Sequence, residues 1–303
     1  MNTAGSTVNT IDNAIRSGAY PVASIDMFDE IESLKMDSGL LLHLEYTQDL
    51  LNMYLEDVKS LEGFRPGMLE FLKAIRYADM IDNQGLEKQN MLMTLFYSQI
   101  PRETAMGRLI KLVKSEKQLT GRDLFSLNNT LLYGTLSEGD SAIRKSNSKF
   151  VGRFVNGERI VDYFPIDYKD VKVASVRMAN LYNKRLSGEL FDNVFFQPFL
   201  IHGLMGALQL FNDGNTRMAR IMQHALIWQL INERMNYNFE MPPIYTTKSY
   251  YPHRVTYREK ISHLVTSGDN EAWNDWFDFN LSMVDNTIDT IRTDIYTLKK
   301  TLK

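Results

Sequence analysis

Two arginines stand where a helix should be starting. In the run from Gln197 to Trp228, QPFLIHGLMGALQLFNDGNTRMARIMQHALIW, Pro198 suits a first helical turn. Leu200, Leu204, Ala207, Leu208 and Phe211 follow as an apolar stripe at helical spacing. Asn212-Asp213-Gly214-Asn215 is rich in turn formers and should end that helix. A second helix is expected from about Thr216, carrying Ile221, Met222, Ala225 and Leu226 inward. Arg217 and Arg220 then share a face of its first turns, where the macrodipole disfavours cations. A bound anion reconciles these features. The open N–H groups of a helix start attract it, Gly214 lets the backbone approach it, and both guanidinium groups can grip a phosphate. Asp213 could hold a divalent cation bridging phosphates. The bland alternative is a helix–loop–helix with exposed arginines in surface ion pairs, which contribute little.

Helical periodicity surrounds this segment. From Ile25 to Tyr77 apolar residues recur three and four apart, as in Leu50, Leu51, Tyr54, Leu55 and Val58; Gly63, Pro66 and Gly67 interrupt the pattern. Residues 86–135 read as two or three helices. A β-hairpin is expected once: Phe150 to Val155 and Arg159 to Phe164 flank Asn156-Gly157-Glu158, and Asn-Gly between β-rich runs is a strong hairpin signal. Helices resume at about Lys169 and run to the C-terminus.

The 303 residues suffice for one large domain or two small ones, and a hydrophobic fraction of 44% allows a sizeable core. A net charge of -3 offers no bulk attraction to nucleic acid or to an acidic membrane. The absence of cysteine excludes disulfide and thiolate chemistry. The polar start, MNTAGSTVNTIDNAIRSG, lacks the apolar core of a secretory signal. The most apolar stretch, Val194 to Phe211, is broken by Gln197, Pro198, His202 and Gln209, which points to a buried helix rather than a membrane span. A soluble cytoplasmic protein is expected.

The central segment resembles the signature of the Fic (Fido) domain family, H-x-F-x-[D/E]-G-N-G-R-x-x-R. Phe211, Asp213, Gly214, Asn215, Arg217 and Arg220 match it; Gln209 replaces the histidine and Thr216 the second glycine. His202 stands seven residues before the signature position, where the family often has a histidine. Ile143-Arg144 through Tyr163-Phe164-Pro165 is similar to the family's flap, and Ser249-Tyr250-Tyr251 and Trp273 to Phe277 are similar to its C-terminal pattern. The resemblance covers about residues 90–280. It implies a mainly α fold: a Fic-type helical core with a β-hairpin flap over residues 86–280, an N-terminal helical region over 1–85 and a C-terminal helical tail over 281–303.

Most members of the family are protein adenylyltransferases, moving AMP from ATP to a hydroxyl of a target protein. The resemblance therefore implies ATP and Mg²⁺ as cofactors. Asp213 would hold the metal, Gly214, Asn215 and Thr216 would line the anion site, and Arg217 and Arg220 would hold phosphates. The flap residues Phe150, Val151, Phe154, Val155, Ile160 and Val161 would dock a target segment by β-augmentation. Tyr250 and Tyr251 would either stack on adenine or pack in the core. Family members often dimerise, so a homodimer is a candidate assembly; neither nucleic acid nor membrane is an expected partner.

The departures bear on activity. A hydroxyl attacking phosphorus must lose its proton, which histidine can take near neutral pH and a glutamine amide cannot. Transfer is thus expected to be very slow or absent. Thr216 is strained if its φ is positive; otherwise its hydroxyl can cap the helix or meet a phosphate. The family's inhibitory glutamate has its nearest counterpart in Tyr97 to Glu103, but Pro101 stands where glutamate belongs. The standard inhibitory residue is therefore expected to be absent. His202 reads as a hydrogen-bonded core histidine, His224 as lying beneath the arginines, and His43, His253 and His263 as surface residues. Three functions stay open: a degenerate domain that binds a phosphorylated ligand, an active transferase or hydrolase with a base from elsewhere, and a non-catalytic interaction protein using the flap edge.

Overall fold

A computed structural model describes residues 18, 20–64, 105–132, 143–155, 158–184, 186, 192–240 and 242–301. Among the described residues, the first elements are two short 3-10 turns, Ile25–Phe28 and Glu30–Ser33. Nine helices follow among the described residues: α1 Ser38–Phe64, α2 Ala105–Lys114, α3 Gly121–Leu132, α4 Val171–Asn183, α5 Phe196–Leu208, α6 Asn215–Arg234, the single turn α7 Thr247–Tyr250, α8 Arg254–Thr266 and α9 Asn270–Thr301. Between α3 and α4 lies the antiparallel hairpin of β1 Val151–Val155 and β2 Glu158–Tyr163.

The architecture is mainly α, centred on α5. Every residue of α5 is buried, from Phe196 to Leu208. That explains why its composition is apolar all round instead of striped. Helix α6 packs along it as the main partner, and α4, α8 and α9 close the other sides. At the α9 contact, Phe196 stacks on Phe277 at 4.6 Å, and the Trp276 indole donates to the Phe199 carbonyl at 2.8 Å. Gly203 permits this approach, since a Cβ there would lie 2.8 Å from the Trp276 ring nitrogen. Helix α9 runs unbroken across position 280, and α1 packs along it. Leu51, Leu55 and Tyr54 are buried there, as the helical spacing of that run demands. The N-terminal helical region thus adds a layer to the same core.

The hairpin forms where Asn-Gly placed it. Its strands differ from expectation by one residue: Glu158 already pairs with Val155 in β2, so the connection is Asn156-Gly157 alone, which lies outside the described residues. Phe150 precedes β1, and Phe164 leaves β2 to bridge Val22. No described helix is long and apolar enough to cross a membrane.

Candidate functional site

The signature segment forms the joint between α5 and α6. The first helix ends at Leu208, a turn sooner than its apolar stripe suggested. Gln209 takes a left-handed conformation, φ 51 and ψ 61, and turns the chain out of the helix. Phe211 consequently lies beyond α5, in a bridge with Ile143 at the foot of the flap. Two contacts hold the early stop: Arg144 Nε donates to the Gln209 carbonyl at 2.9 Å, and the Gln209 amide folds back onto the Gly206 carbonyl at 2.6 Å. The buried Tyr163 hydroxyl donates to the same Gly206 carbonyl at 2.9 Å. Burial pushes that phenol far above the usual tyrosine range. Position 209 thus offers an amide and a neutral phenol, neither able to accept a proton near pH 7.

The turn closes on itself. Asn215 Oδ1 accepts from the Phe211 N–H at 2.9 Å, and its Nδ2 donates to the Phe211 carbonyl at 2.8 Å. Asn215, expected to line the anion site, therefore acts first as the brace of the turn. Gly214 caps α6 with φ 80, a conformation glycine takes without strain. Behind it, Asn128 Nδ2 donates to the Asp213 carbonyl at 3.1 Å, and a Cβ on Gly214 would lie 2.8 Å from that nitrogen. Because Gly214 takes the left-handed step, Thr216 is spared it: its φ is not positive, and it sits in the first turn of α6. The strain considered for threonine does not arise.

Arg217 and Arg220 do share the first turns of α6. Arg217 Nη2 donates to Asp213 Oδ2 at 3.2 Å, while Asp213 Oδ1 accepts from the Gly214 N–H at 2.6 Å. The Asp213 side chain remains 46% exposed, so solvent or a ligand can reach it. Arg220 lies deeper, and burial draws its guanidinium below the usual arginine range, opposed by the Tyr257 and Tyr250 hydroxyls.

Sequence reading did not single out the cations on the flap side. Burial lowers Arg144 to about 10; it spans from the Gln209 carbonyl to the Ile166 carbonyl, 2.5 Å away. Lys149 Nζ donates to the carbonyls of Phe211 at 3.0 Å and Asn212 at 2.9 Å. Burial and the neighbouring Arg144 lower it to about 8, against the pull of Asp213. Their partners in the loop, Gln209, Phe211 and Asn212, lie more than sixty residues away in sequence, beyond the reach of any local pattern.

The remaining candidates separate cleanly. His202 is fully buried, bonded to Gln223 through Nδ1 and to the Tyr257 hydroxyl through Nε2 at 2.9 Å. Burial pushes it down to about 3, so it is a neutral core histidine. His224 is likewise lowered to about 3 by burial. The Thr246 N–H donates to its Nε2 at 3.1 Å, which fixes the proton on Nδ1. Tyr250 is not an adenine platform: it is 3% exposed, it donates to Asn280, and its ring packs among His202, Tyr257 and Phe279. Tyr251 stands at the surface with Arg254 over its ring. Trp273, Trp276 and Phe277 pack α9 onto the body as expected. His43 is not a simple surface residue, because its two ring nitrogens meet Asp278 at 2.7 Å and Asp285 at 2.8 Å. The stretch Tyr97 to Glu103 lies outside the described residues.

On the flap, Val151, Val161 and Phe150 are half-buried and Ile160 is exposed; Phe154 and Val155 belong to β1. No third strand pairs with the hairpin among the described residues. Hairpin and α8 border an open groove of about 750 Å³ lined by Arg153, Arg254 and Arg258 together with Asp162 and Glu259. A segment laid beside the flap would meet a wall of mixed charge there.

A crystal structure of a Fic family protein from Desulfovibrio desulfuricans superimposes with a TM-score of 0.58 at 16% identity, over 86% of this chain and 76% of that one. The chain has a Fic fold. Fic-1 from C. elegans aligns over 84% of this chain and 72% of its own at a TM-score of 0.47 and 14% identity; the fold assignment rests on the former. No protein-family model and no curated protein matches the sequence. Within this fold the joint between α5 and α6 is where the helix start, the two arginines and the foot of the hairpin converge, and the residue that leaves α5 there is Gln209.

Proposed function

We propose that the chain binds the phosphate groups of a nucleotide, ATP with Mg²⁺ being the first candidate, at the joint Asp213–Arg220, and that it transfers AMP to a protein hydroxyl slowly or not at all. One observation carries this reading: Arg217 and Arg220 rise from the first turns of a helix capped by a left-handed glycine. Open amide donors and guanidinium groups at one helix start suit an oligophosphate. Asp213 fits a metal only in company. Mg²⁺ is commonly held by one or two carboxylates plus substrate phosphates and water. Among the described residues, no group of three or more acidic or histidine side chains is placed to hold an ion unaided. When bound, the ion would neutralise charge between phosphates, and Asp213 would exchange Arg217 for it.

The weak-transfer half rests on Gln209. Loss of general-base assistance typically slows a reaction by about 10²- to 10⁴-fold. The amide at this position donates to Gly206 and has no basic nitrogen. Calorimetry with ATP, ADP and GTP, with and without Mg²⁺, tests binding; saturable binding of at least one nucleotide is expected, and Arg217→Ala should abolish it. Labelling of cell extract with α-labelled ATP tests transfer. Strong labelling by the unaltered chain that disappears in Arg217→Ala would overturn the inactive reading, whereas Gln209→His should raise labelling if the base alone is missing.

A second reading has one observation in its favour. Arg217 is already engaged by Asp213, so the joint can close its charges without a ligand. The chain would then be an interaction protein using the flap, and every nucleotide would fail in the calorimeter.

A further inference from the structure

The loop from Gln209 to Asp213 has side-chain donors on four of its backbone carbonyls: Arg144 on Gln209, Lys149 and Asn215 on Phe211, Lys149 on Asn212, and Asn128 on Asp213. In a planar trans peptide the carbonyl of one residue and the N–H of the next point in opposite directions. Drawing a carbonyl toward a donor therefore turns the following amide away from that donor. Lys149 holds two consecutive carbonyls, sharing the first with Asn215, so it helps to set the direction of the Asn212 amide and sets that of the Asp213 amide. It is also the donor of this set nearest the hairpin, two residues before β1. An ammonium has three N–H groups, and these carbonyls take two.

We propose that Lys149 is a positioning residue of the phosphate site: it ties the foot of the flap to the loop, turns the Asn212 and Asp213 amides toward an incoming oligophosphate, and sets a positive charge behind it. The proposal rests on the phosphate-binding reading above. It extends that reading to a residue outside the signature. The tie has a second consequence. Because the same side chain fastens flap and loop, a displacement of the flap by a docked segment must pull on the Phe211 and Asn212 carbonyls. Arg144 and Asp213 are the charged groups that act on Lys149, the former opposing and the latter favouring its positive charge.

Hydrogen exchange of the 209–217 segment, read without ligand, tests the tie directly. Lys149→Met keeps the aliphatic stem and removes every donor, whereas Lys149→Arg keeps charge and donors. Exchange in this segment should accelerate in Lys149→Met, with α5 and α9 unchanged, and Lys149→Arg should restore most of the protection. Calorimetry with ATP and with inorganic pyrophosphate should show about ten-fold weaker binding for Lys149→Met and recovery in Lys149→Arg. Acylation of Lys149 in the unaltered chain, followed by mass spectrometry, should slow when pyrophosphate is added, and this readout holds even if Lys149→Met does not fold. Unchanged loop exchange in Lys149→Met, or a Lys149→Arg chain as loose as Lys149→Met, overturns the proposal. If the unaltered chain binds neither ATP nor pyrophosphate, the phosphate reading falls, and the ligand-free exchange experiment still decides whether Lys149 fastens the loop.

Discussion

The two ends of α5 are held by different physics. Its N-terminal half is locked mainly by aromatic packing, Phe196 on Phe277 with Gly203 beneath the Trp276 indole, to which a single directional bond is added, from Trp276 to the Phe199 carbonyl. Its C-terminal end is held by hydrogen bonds on backbone oxygens, from Gln209 and Tyr163 onto Gly206 and from Arg144 onto Gln209. Apolar packing at one end stabilises the fold through removed surface and dispersion. Directional bonds at the other contribute less stability each, but they fix where amides and carbonyls point. The contrast separates what keeps the domain folded from what aims the loop.

Truncation at the apolar end should show the largest effect. Trp276→Ala removes a fully buried indole and leaves the Phe199 carbonyl contact unmade, so a loss of about 3–5 kcal/mol in urea unfolding is expected. A loss below about 1 kcal/mol would mean the aromatic layer is not what secures α5. At the polar end, Gly214→Ala places a Cβ against Asn128 and forces φ 80 on alanine. It should cost about 1–3 kcal/mol, and ATP affinity should fall further than stability alone requires. Equal, proportionate losses of stability and affinity would erase the distinction between the two ends.

The smallest effect belongs to the α1–α9 contact, where both kinds of force meet. Each ring nitrogen of His43 faces a carboxylate, and carboxylates only accept, so the ring is held doubly protonated. Burial works against that charge, but Asp278 and Asp285 outweigh it and raise the pKa above 6.5. With the folded value raised, the stabilisation is complete below pH 6.5 and fades as pH climbs through the folded pKa. It should be on the order of 1 kcal/mol because Asp278 is largely exposed. His43→Asn should flatten the dependence of the unfolding midpoint on pH across that window; an unchanged slope would assign it to other groups.

Legibility in the sequence followed the same division. The helices around α5 and the buried face of α1 were readable from spacing, because burial imposes a period. The hairpin was readable from Asn-Gly, and the turn before α6 from Asp213-Gly214-Asn215. The early end of α5 was not, because glutamine is no ordinary helix stop; Arg144, distant in sequence, captures the Gln209 carbonyl, and only then does the Gln209 amide serve as a prop on Gly206. Lys149 and Asn128 escaped notice for the same reason, since a lysine or asparagine that serves a remote carbonyl looks like any solvated side chain. His43 looks like a surface residue in the sequence because its partners lie in α9, far along the chain. For Tyr250 the sequence pattern suits ligand and core alike, and only the packed ring cluster decides for the core.

The twist at Gln209 has a consequence for redesign. A side chain with a Cβ in the left-handed region costs about 1–2 kcal/mol, and here it is retained at a position with no basic group. The bend therefore answers to geometry, sending the chain from α5 into the joint, and it will be demanded of whatever residue is installed there. Glycine would relax the torsion but delete the prop on Gly206, and asparagine would tolerate the torsion with a shorter arm. Anyone installing an imidazole at this corner inherits a preset bend whose direction is already chosen.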